Sequence, residues 1–229
     1  MKFTNTLIKG NLLKRYKRFF VDIKVNNKVV TAHCPNTGSM MGLLKEGNQV
    51  WLTQSDDPKR KLKFTLEIIK VNGKLIGVNT HRANRIVEDA LRNKLIKEFI
   101  KIKKIKPEFK FSDDTRFDFL CDKKIIEVKN VTLLRNKNIA EFPDAITSRG
   151  SKHLLKLVNS IERGYVPYVL FLTQIQDIKY FKIAKDIDNE YYKNYLTAKK
   201  KGVKFLAYGC LINSKEIKIE KKIKIIDVK

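Results

Sequence analysis

Two acids and a lysine lie among the apolar residues of one short segment, TRFDFLCDKKIIEVKNVTLL, residues 115–134. The many aromatic and aliphatic residues predict a β-hairpin that is largely buried. Asp118, Glu127 and Lys129 are therefore expected in strands where an unpaired charge is costly. We expect these side chains either to pair with one another or to bind a partner that offsets their charge.

A turn of two or four residues within positions 121–124 would place Asp118 directly opposite Glu127, with Cβ atoms about 5 Å apart. The same register places Arg116 opposite Lys129, whereas a three-residue loop would break it. Because side chains alternate between the two faces of a strand, Asp118, Glu127 and Lys129 are predicted to share one face. The other face, toward the core, would carry Phe117, Phe119, Ile126 and Val128.

Two opposed carboxylates repel each other and need a cation or a proton between them. Their hard oxygen atoms suit Mg²⁺ or Mn²⁺. Asp118 followed by Glu127-x-Lys129 matches the D…ExK pattern of metal-dependent nucleases. The acids would hold a metal ion on the scissile phosphate and on the attacking water, and Lys129 would orient that water or stabilise the transition state. The alternative is a structural ion pair of either acid with Lys129 or Arg116.

A third acid in a predicted helix fits the same scheme. Glu88 lies at the edge of an apolar stripe formed by Val87 and Leu91, and it would be a third metal ligand. The alternative for Glu88 is an ion pair with Arg92 one turn further along.

A second predicted helix, from about Ser148 to Arg163, carries a basic stripe. Its members recur at helical spacing and are Arg149, Lys152, His153 and Lys156. Such a stripe could hold phosphate groups near the acids, and the alternative is a merely solvated face.

The first eighty residues are typical of a small β-barrel of the OB-fold type. About five short strands are separated by turns, of which Asn26-Asn27 and Asn72-Gly73 are the clearest. The first hairpin arm, LLKRYKRFFVDIKV, is predicted as one long strand in which cations and aromatic residues alternate.

The predicted nucleic-acid contacts of that strand are Lys14, Arg15, Tyr16, Lys17 and Arg18, because aromatic rings stack on bases while cations follow phosphates. The alternative places Phe19 or Phe20 in the barrel core and leaves the cations solvated. Asn36, in the turn HCPNTGS, would donate to a phosphate or serve only the turn.

From residue 81 onward, strands and helices mix. YVPYVLFLTQ and KFLAYGCLI are typical of strands buried on both faces, DIDNEYYKNYLTAKKKG of a helix, and EIKIEKKIKII of an edge strand. IKEFIKIKKIKPEF is interpreted as a charged connector. We predict an α+β chain of two domains, a barrel over residues 1–80 and an α/β domain with a mixed central sheet over residues 81–229.

Composition points to a polyanionic partner. Lysine and arginine total 49 against 24 aspartate and glutamate, so the net charge is 49 − 24 = +25. Nucleic acid or an anionic membrane surface would suit this excess. Composition bias of an A·T-rich genome is the alternative.

We expect a cytoplasmic protein without a membrane segment. No apolar run approaches the roughly 20 residues of a membrane span, and the N-terminal residues lack a signal-like apolar core. Three widely spaced cysteines, Cys34, Cys121 and Cys210, fit a reducing compartment.

Seven strings along almost the whole chain resemble the sugar fermentation stimulation protein A (SfsA) family. They are KRYKRFFVD, HCPNTGSM, VNTHRANRIVEDA, TRFDFL, IEVKNVTL, FPDAITSRGSKHLLKL and GVKFLAY. The resemblance implies an OB-like N-terminal domain, a restriction-endonuclease-like C-terminal domain, DNA binding and a link to sugar (maltose) metabolism genes. It also implies that Glu88, Asp118, Glu127 and Lys129 form a nuclease-type site. One departure, Phe181-Lys182-Ile183 in place of F-x-P, is expected in a loop.

Two functions of different classes follow from these patterns. One is a DNA-binding protein that cuts phosphodiester bonds with Mg²⁺ or Mn²⁺. The other is a non-catalytic DNA-binding regulator of sugar (maltose) metabolism genes that keeps the nuclease fold. A basic protein that binds RNA is a third, weaker hypothesis, and the sequence contains no visible site for a small sugar.

Overall fold

A computed structural model of the chain describes residues 1–227, so the last two residues of the predicted second domain lie outside the described part. Six strands form the N-terminal unit: β1 Ile8–Tyr16, β2 Phe20–Val25, β3 Lys28–His33, β4 Gln49–Gln54, β5 Phe64–Val71 and β6 Lys74–Gly77. They lie in the order β3-β2-β1-β4-β5-β6, and an additional parallel pairing of β3 with β5 closes the first five into a barrel. This confirms the predicted OB-type architecture.

The barrel turns follow the sequence signals with one exception. Asn26, Asn27 and Asn72 have positive φ angles of 46°, 65° and 48°, as two-residue hairpin turns require, so both predicted turns are confirmed. The prediction of one strand across residues 12–25 was wrong. The chain reverses at Lys17 and Arg18, whose φ angles are 47° and 61°, and this separates β1 from β2.

The second unit contains three helices and ten strands among its described residues. The helices are α1 Ala83–Arg92, α2 Ser148–Glu162 and α3 Asn189–Lys200, with short 3-10 helices at Thr80–Arg82 and Lys97–Phe99. The strands are β7 Ile105–Ser112, β8 Thr115–Cys121, β9 Lys124–Val131, β10 Leu133–Asn136, β11 Ile139–Phe142, β12 Val166–Thr173, β13 Tyr180–Ile183, β14 Lys204–Ile212, β15 Ile217–Lys222 and β16 Lys224–Ile225.

A mixed six-stranded sheet, in the order β15-β14-β12-β9-β8-β7, forms the centre of this unit. Strands β9, β12 and β14 run parallel, and the flanking strands are antiparallel. Buried leucines of α2 share one apolar cluster with Val169 and Phe171 of β12, whereas buried residues of α1 share another with Leu170. The helices therefore cover opposite faces, which confirms the predicted mixed sheet.

The sequence did not predict a second, four-stranded sheet or the edge strand β7. The short strands β10, β11, β13 and β16 form this smaller sheet. Phe181-Lys182-Ile183 lies in β13 and not in a loop, and the connector predicted around residues 96–109 contains a 3-10 helix and the start of β7. Strands of two to four residues carry too few alternations for a sequence pattern to identify them.

Main-chain hydrogen bonds join the two units. The amide of Gly77 donates to the carbonyl of Gln174 at 2.9 Å, and the amide of Gln176 donates to Leu75 at 3.0 Å. A Cβ atom at Gly77 would lie 2.5 Å from Oε1 of Gln174 and 3.1 Å from Cδ1 of Ile217, so glycine lets the two units approach here without displacing these side chains. In residues 1–227, no helix is long and apolar enough to cross a membrane.

Candidate active site

The β8–β9 hairpin has the predicted register. Cys121 pairs with Lys124 across the two-residue turn Asp122-Lys123, and Leu120–Ile125 and Phe119–Ile126 follow. Asp122 adopts a φ of 53°, and its carboxylate accepts hydrogen bonds from the amides of Lys103 and Lys104. Aspartate tolerates this backbone conformation better than most residues, so the turn fixes the register.

Asp118 precedes Phe119 in β8, and its carboxylate lies between β8 and β9. Its Oδ2 accepts a hydrogen bond from the backbone amide of Val128 at 2.6 Å, and its Oδ1 accepts one from Nδ2 of Asn84 at 2.7 Å. Burial, followed by the negative charge of Glu127, raises the pKa of Asp118 to about 6. The hydrogen bonds from Val128 and Asn84 oppose this shift without cancelling it.

Glu127 is buried in β9 and already has two partners. Its Oε1 lies 2.7 Å from Nζ of Lys129 and 2.5 Å from Nδ1 of His153 on α2. Burial alone would raise the pKa of Glu127, but the charge of Lys129 and the contact with His153 outweigh it and lower the pKa. Glu127 is therefore an anion held by cationic or hydrogen-bonding groups, and Asp118 beside it is the more easily protonated acid.

The predicted division of the hairpin into two faces was partly wrong. Phe119, Ile126 and Val128 do share the cluster on the α1 side, but Phe117 packs in the cluster on the α2 side, 6.2 Å from the ring of His153. Arg116 pairs with Lys110 of β7 and not with Lys129. Because the carboxylate of Asp118 takes the amide of Val128, it replaces a ladder hydrogen bond at this point, and the regular alternation ends there.

Glu88 is the one predicted ligand that does not join the other two acids. It forms the alternative ion pair, in which Nε and a terminal nitrogen of Arg92 lie 3.0 and 2.6 Å from its Oε1. Within the described residues, no group of three His, Cys, Asp or Glu side chains is placed to hold a metal ion. The role of Glu88 as a ligand stays a prediction.

The donor atoms of Asp118 and Glu127 nevertheless suit a small divalent cation. Mg²⁺ commonly keeps several waters and takes only one or two protein carboxylates. The raised pKa of Asp118 reflects burial first and repulsion by Glu127 second, and a bound cation would relieve that repulsion. A two-carboxylate site for Mg²⁺ or Mn²⁺ is therefore chemically consistent with the residues present.

The predicted basic stripe of α2 divides into two parts. His153 contacts Glu127, so it belongs to the acid site more than to a phosphate surface. Arg149 and Lys152 are exposed and line a cavity of about 660 Å³ between α2 and the β7–β8 turn. Lys156 lines the same cavity, but its ammonium group is 2.8 Å from Asp114, which neutralises it in part.

The barrel residues predicted to contact nucleic acid differ in how closely their charged groups are held by other groups of the protein. Lys14, Lys17 and Arg18 are exposed at or beside the β1–β2 turn, although Nζ of Lys14 lies 3.9 Å from Oδ2 of Asp22. The Tyr16 ring stacks on Phe20 with centroids 5.6 Å apart. Arg15, in contrast, donates to the backbone carbonyls of Arg18, Asn36, Gly38 and Ser39. Its guanidinium therefore holds the loop after β3 in place.

Asn36 serves this same loop. Its side chain donates to the carbonyl of Val78 at 3.2 Å and accepts the amide of Gly38 at 2.9 Å. Both polar groups of the Asn36 amide are thus hydrogen-bonded within the protein, as expected if Asn36 serves only the turn.

Asn84 and Gln174 are site residues that the sequence reasoning missed. Asn84 fixes Asp118, and Nε2 of Gln174 donates to Asn130, the residue after Lys129, at 2.6 Å. Asn84 lies in the string VNTHRANRIVEDA, so its polar side chain at the start of a helix was an available signal. Nothing in the local sequence connects Gln174 with the hairpin. The parallel pairing of β12 with β9 brings Gln174 beside Asn130.

The pH dependence of stability should report the environment of Asp118. Its pKa rises from 3.8 to about 6 on folding, so the fold gains stability from this proton below about pH 4 and loses it as the pH rises through 6. Urea unfolding in EDTA should show wild type losing about 3 kcal/mol relative to Asp118→Asn between pH 4 and 8. Parallel stability curves for the two proteins would contradict the assigned environment.

Comparison with known proteins places both units in one family. The family model described as the SfsA N-terminal OB domain matches residues 13–78, and the sugar fermentation stimulation protein RE domain matches residues 81–216. The sugar fermentation stimulation protein homolog of Pelagibacter ubique (strain HTCC1062) is 62% identical over 231 residues, with 99% of this chain and 100% of that protein covered. The homolog of Pseudoalteromonas atlantica (strain T6c / ATCC BAA-1087) is 44% identical, with 99% and 100% covered.

A solved structure has the same fold. Pyrococcus furiosus SfsA, in complex with Ca²⁺, aligns with a TM-score of 0.88 at 23% identity and covers 99% of this chain and 98% of that one. The sequence matches extend from the barrel through the mixed sheet and include the β8–β9 hairpin. The chain therefore belongs to the sugar fermentation stimulation protein (SfsA) family.

Proposed function

We propose that this protein binds DNA and cuts phosphodiester bonds with Mg²⁺ or Mn²⁺ at the Asp118, Glu127 and Lys129 site. One observation carries the proposal. Two buried carboxylates lie close enough for the charge of Glu127 to raise the pKa of Asp118, and a lysine ammonium lies 2.7 Å from Glu127. A purely structural ion pair needs only one acid, so the second acid and its repulsion favour a site that takes a cation.

Each side chain has a distinct role in this proposal. Asp118 and Glu127 would hold the ion, which when bound would neutralise phosphate charge and lower the pKa of its water. Lys129 places a cation beside the phosphate and stabilises developing negative charge. His153 and Asn84 orient the two carboxylates through direct hydrogen bonds. Glu88 would join the same site only once its ion pair with Arg92 is broken.

Charge and the comparison add support. The net charge of +25 and the exposed cations Lys14, Lys17 and Arg18 suit a polyanionic strand. Pyrococcus furiosus SfsA was solved with Ca²⁺, a hard cation that prefers the same oxygen ligands as Mg²⁺. We place the activity in the cytoplasm, in keeping with three buried free cysteines, Cys34, Cys121 and Cys210.

A non-catalytic DNA-binding regulator of sugar (maltose) metabolism genes is the second candidate. It is favoured by the ion pairs already present, because Lys129 neutralises Glu127, which His153 also contacts, and Arg92 neutralises Glu88. In this case the acids would stabilise the fold, and DNA binding would proceed equally well without metal.

A cleavage assay separates the two functions. Purified protein is incubated with end-labelled single-stranded DNA, duplex DNA and RNA in Mg²⁺, in Mn²⁺ or in EDTA. Metal-dependent products from DNA support the nuclease. Salt-sensitive DNA binding without products in either metal supports the regulator, and products from RNA alone would replace DNA with RNA as the substrate.

The salt dependence of binding should locate the barrel surface that meets DNA. Replacing Lys14, Lys17 and Arg18 with alanine should reduce the slope of log K against log salt by about 0.7 for each phosphate of a single strand that the variant leaves unneutralised. Arg15 is kept in this variant because it holds the loop after β3. The matched control replaces Lys199, Lys200 and Lys201 at the end of α3. An unchanged slope in the barrel variant would show that DNA binds to a different surface of the protein.

A further inference from the structure

A cleft of about 580 Å³ separates the barrel from the mixed-sheet unit. Arg18 and Thr37 line its barrel side, and Asn130, Thr132 and Ile146 line the opposite side. The cleft reaches β9 at Asn130, the residue after Lys129, although Asp118, Glu127 and Lys129 are not among its lining residues. The volume falls within the roughly 300–1,000 Å³ of pockets that hold small organic ligands, a size class that includes a nucleotide.

The two walls of this cleft are fixed relative to each other. Ser39 Oγ donates to the carbonyl of Asp144 at 2.7 Å, and the amide of Met40 donates to the Asp144 carboxylate at 3.3 Å. The main-chain bond between Gly77 and Gln174 adds a second connection. A substrate must therefore fit the cleft as it stands, because opening it would break these bonds.

Ile146 is the unusual side chain of the cleft. It is 81% exposed, more than any other large hydrophobic residue in the described part of the chain, and it lies just before α2. Arg18 lines the wall across the cleft from it, whereas Arg149 in the first turn of α2 lines the separate cavity beside the β7–β8 turn. Phe19, 44% exposed, lies on the same barrel turn as Lys17 and Arg18.

Apolar side chains beside cations match the two parts of a nucleotide. Cations bind phosphates of any nucleic acid, whereas an exposed isoleucine in a cleft can pack against the face of an unstacked base. In a duplex these faces are stacked on their neighbours, and exposing them costs free energy. In a single strand they are accessible.

We propose that the interdomain cleft binds single-stranded DNA, with Arg18 on a phosphate and Ile146 against an unstacked base. This deepens the proposed function by naming its substrate class, and the orientation of the strand toward Lys129 rests on that function. The binding itself does not require turnover.

Fluorescence anisotropy in EDTA tests the cleft without cleavage. The probes are a labelled 20-nucleotide single strand of mixed sequence and the matched blunt duplex, each titrated with full-length protein at equal ionic strength. Wild type is expected to bind the single strand at least tenfold more tightly. Ile146→Ala should weaken that binding about fivefold and leave duplex binding unchanged, because the isoleucine side chain packs on a base that only the single strand exposes.

Two controls make the test specific. Leu196→Ala removes an exposed leucine of α3 outside the cleft and should leave both affinities unchanged. Ile146→Trp should keep or raise single-strand affinity, since an indole stacks on bases more strongly. Equal affinity for the two probes, or an equal effect of Ile146→Ala and Leu196→Ala, would overturn the inference.

These results are independent of the cleavage assay. Selective single-strand binding that depends on Ile146, with no cleavage in any metal, would support single-strand binding by the cleft and contradict the proposed nuclease activity. Metal-dependent cleavage together with tighter binding of the duplex would contradict single-strand binding by the cleft and support the proposed nuclease activity.

Discussion

Replacing Lys129 with alanine is expected to lower kcat for metal-dependent DNA cleavage by about 10²–10³-fold, the usual cost of losing one transition-state stabilising group. The Lys129 side chain is only 13% exposed, and its ammonium group lies 2.7 Å from Glu127 Oε1. Within residues 1–227, the other group that pairs with this carboxylate is His153, which is a cation only when protonated. KM should change much less than kcat, because in the proposed function the exposed cations of the barrel and α2 supply most of the binding.

Lys200→Ala is the matched control for this experiment, since Lys200 is an exposed lysine at the end of α3. It should leave kcat and KM within about twofold of wild type, as a screened surface charge would. A Lys129→Ala variant with wild-type kcat would show that this lysine only pairs with Glu127. Loss of fold is excluded by comparing the thermal unfolding curves of both variants.

Replacing Arg82 with alanine is expected to destabilise the protein by about 3–5 kcal/mol, because it would leave a buried carboxylate without its cation. The carboxylate is Glu67, which is fully buried in β5. Arg82 binds it through Nε at 3.2 Å and a terminal nitrogen at 2.7 Å, and Thr53 and Asn79 donate the remaining hydrogen bonds. This network joins the barrel to the residues that precede α1. Urea unfolding at pH 7 measures the loss.

Arg92→Ala provides the contrast at the other end of α1. Arg92 is 58% exposed and binds Glu88, which is 31% exposed, so its loss should cost less than about 1 kcal/mol. Equal destabilisation by Arg82→Ala and Arg92→Ala would contradict the different burial assigned to the two acids. If Glu88 can join the metal site, Arg92→Ala should also increase the affinity for Mn²⁺.

The hairpin register was predictable because two local signals agree on it. Side chains in a strand repeat every two residues, and a short turn fixes which residues face each other. Those signals predicted the pairing of Phe119 with Ile126 and the approach of Asp118 to Glu127. They could not predict that the Asp118 carboxylate would take the amide of Val128 and end the ladder.

The turn at Lys17 and Arg18 shows a different limit. Hairpin turns with positive φ favour asparagine, aspartate and glycine, and none of these occurs there. The run KRYKRFF therefore looks like one continuous strand. Closure of the barrel imposes the turn, because β2 must pair with both β1 and β3.

The partners of the acids could be predicted only in part. Lys129 is two residues from Glu127, so its pairing follows from strand geometry. His153 and Asn84 reach the acids from α2 and α1, and nothing local to the hairpin connects them with it. The basic stripe of α2 assigned His153 to phosphate, whereas His153 contacts Glu127. The face of α2 that meets the sheet carries Leu154 and Leu157, which are not members of the stripe.

Cleavage by wild type and Glu127→Gln, purified in parallel, tests the metal-dependent nuclease site without relying on any binding measurement. A labelled single-stranded oligonucleotide is incubated with each protein in Mn²⁺, with and without EDTA. We expect products from wild type in Mn²⁺ alone, and none above background from Glu127→Gln. No products from wild type, or equal products from the two proteins, would contradict the assignment of this site.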